Sequence, residues 1–196
     1  AVAAVGTETS GSITSPSSLN SVVGLKPTVG VLSRTGIVPI SSTLDTPGPM
    51  TKNVTDNYIL LMAMLGLDKA DTASIDYEFD DDVEIETPLK GKRVGVLKSL
   101  LTDSIYAETM GTLRKAGAEL ITISPPEVSF AGFITLLNIE MKHDLPTYLT
   151  AHASTSVKIN SIQSVLDFNR KDSLLLAPYG QQLFEGIVND TTTLAE

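Results

Sequence analysis

The order of apolar and polar positions divides the chain into a strand-rich beginning, a mixed middle and a helical end. Residues 1–5 form an apolar run that predicts a short buried strand. Residues 6–21 are rich in Gly, Ser and Thr and predict a loop, which the apolar segments on either side would keep buried. Between residues 22 and 50, the pieces VVGL, VGVLS and IVPI predict short β segments, and LKPTVG and DTPGPM predict turns. Residues 54–65 predict a helix.

The middle of the chain repeats the pattern strand, helix, strand. RVGVL at 93–97 and ELITI at 119–123 predict two strands, and residues 105–116 predict a helix that ends at Gly117. Two strands joined through a helix pair in parallel with a right-handed crossover. From Ser129 onward, apolar residues recur at helical spacing. The whole pattern predicts an α/β protein, in which helices cover both faces of a mixed central sheet.

Charge is concentrated in one segment and excludes several functions. The formal net charge is −9 at pH 7, and residues 68–86 carry most of the acidic excess. This run favours an exposed connector over a calcium loop, because it lacks the Gly and the final Glu that a calcium loop needs. Without a basic stripe, nucleic-acid binding is not expected. The chain has no Cys and two His, which excludes thiolate chemistry and disfavours a histidine metal site, and no apolar run is long enough for a membrane span.

The loop at residues 6–21 is the segment whose composition most favours a chemical role. A phosphate-binding loop would need a Lys where Ser12 stands, and a nucleophile elbow would need flanking glycines that this serine lacks. Ser12 nevertheless follows small residues whose backbone amides can converge on one point, as an oxyanion hole requires. The amides of Thr9, Ser10 and Gly11 are the candidates for that hole. The alternative is a Ser-rich turn whose hydroxyls satisfy buried backbone groups, and composition alone favours that alternative.

Three motifs follow one another within residues 6–50. They are GTETSGSITSP, VVGLKPTVG and STLDTPGP. These motifs resemble the amidase signature family, whose pattern is close to G-T-D-x-G-G-S-I-R-x-P-A, then G-V-V-G-L-K-P-T-x-G, then S-x-D-x-x-G-P. The matching positions are Gly6, Thr7, Gly11, Ser12, Ile13, Pro16, Val22, Val23, Gly24, Leu25, Lys26, Pro27, Thr28, Gly30, Asp45, Gly48 and Pro49. Later blocks such as KRVGVL, AGAELITI and APYGQQLFEGIV resemble the same family, closest to its peptide-amidase-like members, so the resemblance implies the amidase-signature fold for essentially the whole chain.

The resemblance implies hydrolysis of carboxylic amides through a serine acyl-enzyme. The family's nucleophile matches Ser12, and the amides of the residues that match Thr9, Ser10, Gly11 and Ser12 hold the oxyanion. A bridging serine in a cis peptide passes the proton to a buried neutral lysine. The resemblance implies no metal and no organic cofactor. The expected substrate is a small-molecule or peptide amide, with C-terminal peptide amides as the narrower expectation.

The bridging serine and the lysine have no match in this chain, because the family places both further upstream than the eleven residues that precede Ser12. We therefore expect a central part of one amidase-signature domain, truncated at both ends and inactive by itself. Residues 1–66 would form the signature core with the nucleophile, residues 67–88 an acidic surface connector, and residues 89–196 the β-α-β and helical part. Lys26 matches the family's K-P-T turn rather than its catalytic lysine, so a structural role is expected for it.

Three departures from the family pattern bear on the substrate. Glu8 replaces the usual Asp, Ser10 replaces a Gly beside the expected oxyanion hole, and Thr14 replaces an Arg. The amidotransferase members of the family, which are the A subunits of tRNA-dependent enzymes, carry that Arg. Its loss disfavours such a subunit, which is kept as an alternative function. A non-catalytic amidase-like module is the other alternative. No nucleic-acid or membrane partner is expected, the oligomeric state is left open, and the cytoplasm is the default location.

Overall fold

The computed structural model describes residues 1–78 and 89–193. These residues form two compact units, one of residues 1–78 and 131–193 and the other of residues 89–130. In chain order the elements are β1 (Ala3–Glu8), α1 (Thr14–Leu19), β2 (Val23–Gly24), β3 (Thr46–Thr51), α2 (Val54–Met64), β4 (Arg93–Leu97), α3 (Ser104–Lys115), β5 (Glu119–Ile123), α4 (Phe133–His152), α5 (Ile162–Asn169), α6 (Ser173–Leu176) and α7 (Gln182–Asn189). The predicted α/β class is confirmed.

The first unit contains a three-stranded antiparallel sheet in the order β1-β3-β2. β1 pairs with β3 along its whole length, so that Gly6 lies opposite Gly48 and Glu8 opposite Thr46. β1 confirms a strand over most of residues 1–5 and extends further along the chain, but the predicted burial is wrong, because residues 1–5 are exposed and Glu8 is the one buried residue of β1. The pairing places the end of β1 beside the start of β3, and this is where the candidate site lies.

The predicted turn at DTPGPM is wrong, because most of this segment forms β3. Its two prolines lack the N–H group that a strand residue normally donates. Leu25 N donates to Pro49 O at 3.1 Å, so the backbone of Pro49 points toward the two-residue strand β2. Backbone groups two residues apart point the same way, so the backbone of Pro47 also points away from β1. The pairing of β3 with β1 therefore tolerates both prolines.

The bounds and the expected burial of the Gly/Ser/Thr-rich loop are also wrong, because within residues 6–21 the buried residues are Glu8, Ile13 and Ser17. β1 and α1 take most of that segment and leave residues 9–13 as the loop. The pieces VGVLS and IVPI form no strand, so both of these predicted β segments are wrong. The first piece begins in one turn, and the second begins where another turn ends. Hydrogen bonds from Val31 N to Thr28 O, at 3.1 Å, and from Ile37 N to Arg34 O, at 3.0 Å, close these turns. These local bonds engage backbone groups that a strand would have paired with a neighbour.

α2 is the predicted helix after β3, and two asparagines fix it. Asn53 caps the helix by accepting a hydrogen bond from Asp56 N at 2.8 Å. Asn57 is buried, and its Nδ2 donates to Val23 O and Pro49 O at 3.1 Å each. The amide of Asn57 therefore ties α2 to β2 and β3 together.

The predicted helical end of the chain is confirmed by α4, α5, α6 and α7. Leu145, Ile162 and Ile187 form the buried cluster between α4, α5 and α7. Ser161 begins α5 with a capping box that it shares with Ser164. No helix among the described residues combines the length and the apolar character that crossing a membrane requires.

The second unit confirms the predicted β-α-β segment. β4 and β5 pair in parallel from Arg93 opposite Glu119 to Leu97 opposite Ile123. Asp103 caps α3, which runs between the two strands, and Gly117 follows the helix at φ +98°. The segment forms as predicted because its periodicity, cap and glycine all act locally.

The predicted acidic connector at residues 67–88 is described only in part. Asp68 and Asp71 bond to the turn at residues 33–35, and Asp71 is 9% exposed. Residues 79–88 lie outside the described residues. The connector and its calcium alternative therefore stay predictions.

Candidate active site

A short loop at residues 9–13 joins β1 to α1, and we name it the Ser12 loop. Gly11 adopts φ +128°, a conformation that residues with a side chain rarely take. Its carbonyl oxygen accepts a hydrogen bond from Ser15 N at 2.8 Å, so α1 starts directly from the loop. Ser12 is exposed, whereas Ile13 is fully buried. The loop thus presents Ser12 at the surface while Ile13 anchors it in the core.

Glu8, the last residue of β1, binds the end of the Ser12 loop where α1 begins. Only 5% of Glu8 is exposed. Its Oε2 accepts hydrogen bonds from Ile13 N and Thr14 N, both at 2.8 Å, and from Thr14 Oγ1 at 3.1 Å. Burial by itself raises the pKa of Glu8, but the bonds from Thr14 and Ile13 outweigh burial and leave the pKa below its ordinary value. Glu8 and Thr14, two of the departures from the family pattern, therefore contact each other.

Thr9 is bonded to an acidic residue from the segment before β3. Thr9 Oγ1 donates to Asp45 Oδ1 at 2.5 Å. Asp45 Oδ2 accepts hydrogen bonds from Ile40 N at 2.7 Å and from Ser41 N at 2.9 Å. Asp45 is 7% exposed, and each of its oxygens has a donor. The carboxylate therefore connects the start of the Ser12 loop to the turn that precedes Asp45.

The backbone amides of Ser10, Gly11 and Ser12 donate to no acceptor within residues 1–78 and 89–193. Ser10 is exposed, and Gly11 is half-buried. Three successive residues thus carry N–H groups that are available to a ligand beside an exposed hydroxyl. The structure places all four residues predicted from the sequence, Thr9 to Ser12, in this one loop.

Two acidic residues on α4 bind the turn at residues 41–43. Glu140 is 5% exposed and accepts hydrogen bonds from all three hydroxyl side chains of that turn. Asp144, one helical turn later, accepts a hydrogen bond from Ser42 N at 3.0 Å. Because the same turn donates to Asp45, α4 supports the residue that binds the Ser12 loop.

Arg34 and Asp71 form an ion pair beside this turn. Arg34 Nη2 donates to Asp71 Oδ1 at 2.6 Å, and Arg34 Nε donates to Asp71 Oδ2 at 3.0 Å. The hydrogen bonds from Arg34 hold the pKa of Asp71 far below its usual range, and those bonds raise the pKa of Arg34. Arg34 Nη1 also donates to Ser42 O. The pair forms one side of a cleft of about 410 Å³ whose wall includes Asp45 and Tyr148.

Lys26 and the two histidines take no part in the Ser12 loop. Lys26 is exposed, and its charge contributes to lowering the pKa of Glu8. His143 Nδ1 lies 2.9 Å from Asp144 Oδ1 on a side chain that is 63% exposed. The His152 ring packs against Tyr148 with 4.7 Å between ring centroids. The structural role expected for Lys26 from the sequence stays a prediction.

The sequence patterns indicate no site role for Asp45, Glu140 or the Arg34–Asp71 pair. Asp45 belongs to the matched S-x-D-x-x-G-P motif, which was the available signal for it. Glu140 is a lone acidic residue within the apolar run FITLLNIEM, which favours a buried and bonded carboxylate. No comparable signal marks Arg34 or Asp71, which lie 37 positions apart.

The strand, Ser12 loop and helix of this site belong to a segment that matches a known family. The family model described as Amidase matches residues 1–179. The chain belongs to the amidase family. The resemblance predicted from the motifs is thereby confirmed.

Three known members of the amidase family show how much of such a protein the chain spans. The A subunit of glutamyl-tRNA(Gln) amidotransferase from Ruegeria sp. (strain TM1040) is 41% identical over 157 residues, which cover 75% of this chain and 32% of that protein. The solved structure of native peptide amidase from Stenotrophomonas maltophilia is 35% identical with a TM-score of 0.79, over 100% of this chain and 42% of that one. The A subunit of the same amidotransferase from Thermotoga maritima is 27% identical with a TM-score of 0.62, over 96% and 40%. The chain spans about a third of the length of the curated relatives it matches.

Proposed function

We propose that the full-length protein hydrolyses carboxylic amides and that Ser12 is its nucleophile. The observation that carries this proposal is an exposed Ser12 beside three backbone amides that have no acceptor in the described part of the chain. A nucleophilic hydroxyl needs access to its substrate, and the charge that develops on the carbonyl oxygen needs hydrogen-bond donors. Membership of the amidase family supports an amide as the group attacked.

In the proposed reaction, Ser12 Oγ bonds to the carbonyl carbon, and the carbonyl oxygen becomes an oxyanion. The free amides of Ser10, Gly11 and Ser12 donate to that oxyanion. The C–N bond then breaks, the amine or ammonia leaves with the proton that the Ser12 hydroxyl gave up, and an acyl-enzyme remains on Ser12. Water attacks the acyl-enzyme, releases the acid and restores the hydroxyl. The relay serine and lysine of the family match no residue of this chain, so its own share of the reaction is the nucleophile and the oxyanion site.

We propose a C-terminal peptide amide as the substrate class. The TM-score of the chain is 0.79 against the peptide amidase structure and 0.62 against the amidotransferase structure from Thermotoga maritima. The position of the amidotransferase Arg is occupied by Thr14, whose hydroxyl is engaged with Glu8. Both observations favour a peptide-amidase-like member.

The second candidate is the A subunit of a tRNA-dependent amidotransferase, which releases ammonia for transfer to another protein's substrate. The 41% identity to the Ruegeria protein favours this alternative. It predicts that the protein co-purifies with an amidotransferase partner, whereas a peptide amidase acts without one.

The test compares the full-length protein with its Ser12→Ala and Ser18→Ala variants. Ser18 is an exposed serine of α1 and serves as the matched control. The assay measures ammonia released from a C-terminally amidated dipeptide. We expect equal rates for the unchanged protein and Ser18→Ala, and a background rate for Ser12→Ala. Retained turnover in Ser12→Ala would exclude Ser12 as nucleophile, and ammonia release that requires an added partner would favour the second candidate.

A further inference from the structure

Asp45 lies 36 positions after Thr9 and joins the Ser12 loop to the backbone of Ile40 and Ser41. We infer that Asp45 is a positioning residue for the reaction, because by binding the Thr9 hydroxyl it fixes the amides of residues 10–12 for the oxyanion. The inference rests on the proposed function of Ser12 and assigns a further residue to that site.

The geometry leaves the Asp45 carboxylate little freedom. Its Oδ1 accepts the Thr9 hydroxyl at 2.5 Å, while its Oδ2 accepts Ile40 N at 2.7 Å and Ser41 N at 2.9 Å. A rotation that improved one contact would break another. Because Asp45 is buried, water cannot readily replace a lost donor.

The Ser12 loop is therefore fixed at two points, with the free amides between them. Glu8 binds the far end through Ile13 N and Thr14 N. Asp45 binds the near end through Thr9. Without the bond to Asp45, the chain from Thr9 to Ser12 would be fixed only at the strand before it and the helix after it. The free amides of residues 10–12 would then lose the restraint that the Thr9 side chain gives at the β1 end of the loop.

The position of Asp45 is itself supported from α4. The buried Glu140 accepts the Ser41 hydroxyl, and Ser41 N donates to Asp45. Asp45 also directly precedes Thr46, which pairs with Glu8 across β3 and β1. A continuous series of bonds thus runs from Glu140 through Ser41 and Asp45 to Thr9.

A positioning role predicts a specific kinetic effect. Donors that bind the oxyanion act in the transition state, so misplacing them lowers kcat and kcat/KM together and leaves KM nearly unchanged. Removing one oxyanion donor costs about a hundredfold to a thousandfold in kcat. Because the donors here would be displaced rather than removed, we expect a loss of about tenfold to a hundredfold.

The test uses Thr9→Val in the full-length protein, which keeps the shape of the side chain and removes its hydroxyl. Thr9→Ser restores the hydroxyl. The matched control is Ser33→Ala, which removes another half-buried hydroxyl bond to an aspartate, from Ser33 Oγ to Asp68 Oδ2 at 2.6 Å. On a C-terminally amidated dipeptide, we expect Thr9→Val to lower kcat by about tenfold to a hundredfold with KM within about twofold. Thr9→Ser should recover most of that loss, and Ser33→Ala should keep the unchanged kcat.

A double-mutant cycle shows whether the Thr9 effect passes through Asp45. Asp45→Ala removes the carboxylate that the three donors share. Since Thr9→Val and Asp45→Ala both break the contact between Thr9 and Asp45, we expect the double variant to lose no more kcat than the worse single variant. Independent losses that multiply in the double variant would overturn the assignment. If Asp45→Ala does not fold, the comparison of Thr9→Val with Thr9→Ser decides by itself.

The outcomes separate this inference from the function on which it rests. An unchanged kcat in Thr9→Val, in a protein whose activity is abolished by Ser12→Ala, would overturn the positioning role and leave Ser12 as nucleophile. A rise in KM alone would also overturn it, because that result indicates lost substrate binding. An unchanged protein without amidase activity would overturn both proposals.

Discussion

Replacing Glu8 with glutamine removes the negative charge that binds the α1 end of the Ser12 loop and keeps the shape of the side chain. In Glu8→Gln, Oε1 can accept the two amide hydrogen bonds that Ile13 N and Thr14 N now donate to the carboxylate. The new NH2 group can donate to Thr14 Oγ1, so no donor faces another donor. The substitution therefore isolates the contribution of the charge.

The magnitude follows from the two amide bonds. Hydrogen bonds to a charged group stabilise a fold by about 1.5–3 kcal/mol, against about 0.5–1.5 kcal/mol between neutral groups. The difference is about 1 kcal/mol for each bond, so the free energy of unfolding should fall by about 2 kcal/mol near pH 7. Little screening by solvent is expected, because Glu8 is only 5% exposed.

The pH dependence gives this prediction a second measurement. The pKa of Glu8 in the fold lies below its ordinary value of 4.5, because the bonds from Thr14 and Ile13 outweigh burial. Its stabilising contribution is therefore complete above that ordinary value and is lost as the pH falls through the lower pKa of the folded state. Glutamine does not titrate, so the difference in unfolding free energy between the two proteins should shrink in acid.

The assay is urea unfolding of the unchanged protein and Glu8→Gln at a series of pH values, with the exposed Glu185→Gln as control. The control should change the unfolding free energy by less than about 0.5 kcal/mol. A Glu8→Gln difference no larger than that of the control near pH 7, or one that stays constant into acid, would refute the account of Glu8.

Two further predictions concern stability. Asp71→Asn leaves Arg34 without its charge partner and should lower the free energy of unfolding by about 3 kcal/mol in urea, and an unchanged value would show that the pair contributes no stability. Gly24→Ala should destabilise by about 1–3 kcal/mol, since the added Cβ would lie 2.1 Å from Oγ of the buried Ser17. Gly111→Ala should instead stabilise α3 by about 0.5–1 kcal/mol, since nothing lies within 4 Å of its added Cβ. Thermal unfolding of the two variants compares them, and a higher midpoint for Gly24→Ala than for Gly111→Ala would contradict both glycine predictions.

The elements that the sequence predicts well are those set by local interactions. In the segment from β4 to β5, each strand and the helix between them carry their own periodicity, and Asp103 and Gly117 mark the helix ends. β3 differs from the turn predicted for DTPGPM because Pro47 and Pro49 are turn-favouring residues by composition. Which side of the strand a proline faces depends on its partners, and the sequence does not show that.

The residues of the candidate site also differ in how far the sequence predicts them. Ser12 and the small residues before it are contiguous, so motif and composition point to them together. The residues that support the Ser12 loop are distant in sequence, since Asp45 lies 36 positions from Thr9 and Glu140 lies 99 positions from Ser41. Hydrogen bonds at such separations depend on the folded backbone and leave no periodic signal in the chain.

The most direct test of the central claim identifies the residue that forms the covalent intermediate. The full-length protein is labelled with a fluorophosphonate probe, digested, and analysed by mass spectrometry to locate the modified side chain. We predict the label on Ser12, with no label in the Ser12→Ala variant and normal labelling in Ser18→Ala. A label on any other residue, or labelling that persists in Ser12→Ala, would contradict the assignment of Ser12 as the nucleophile.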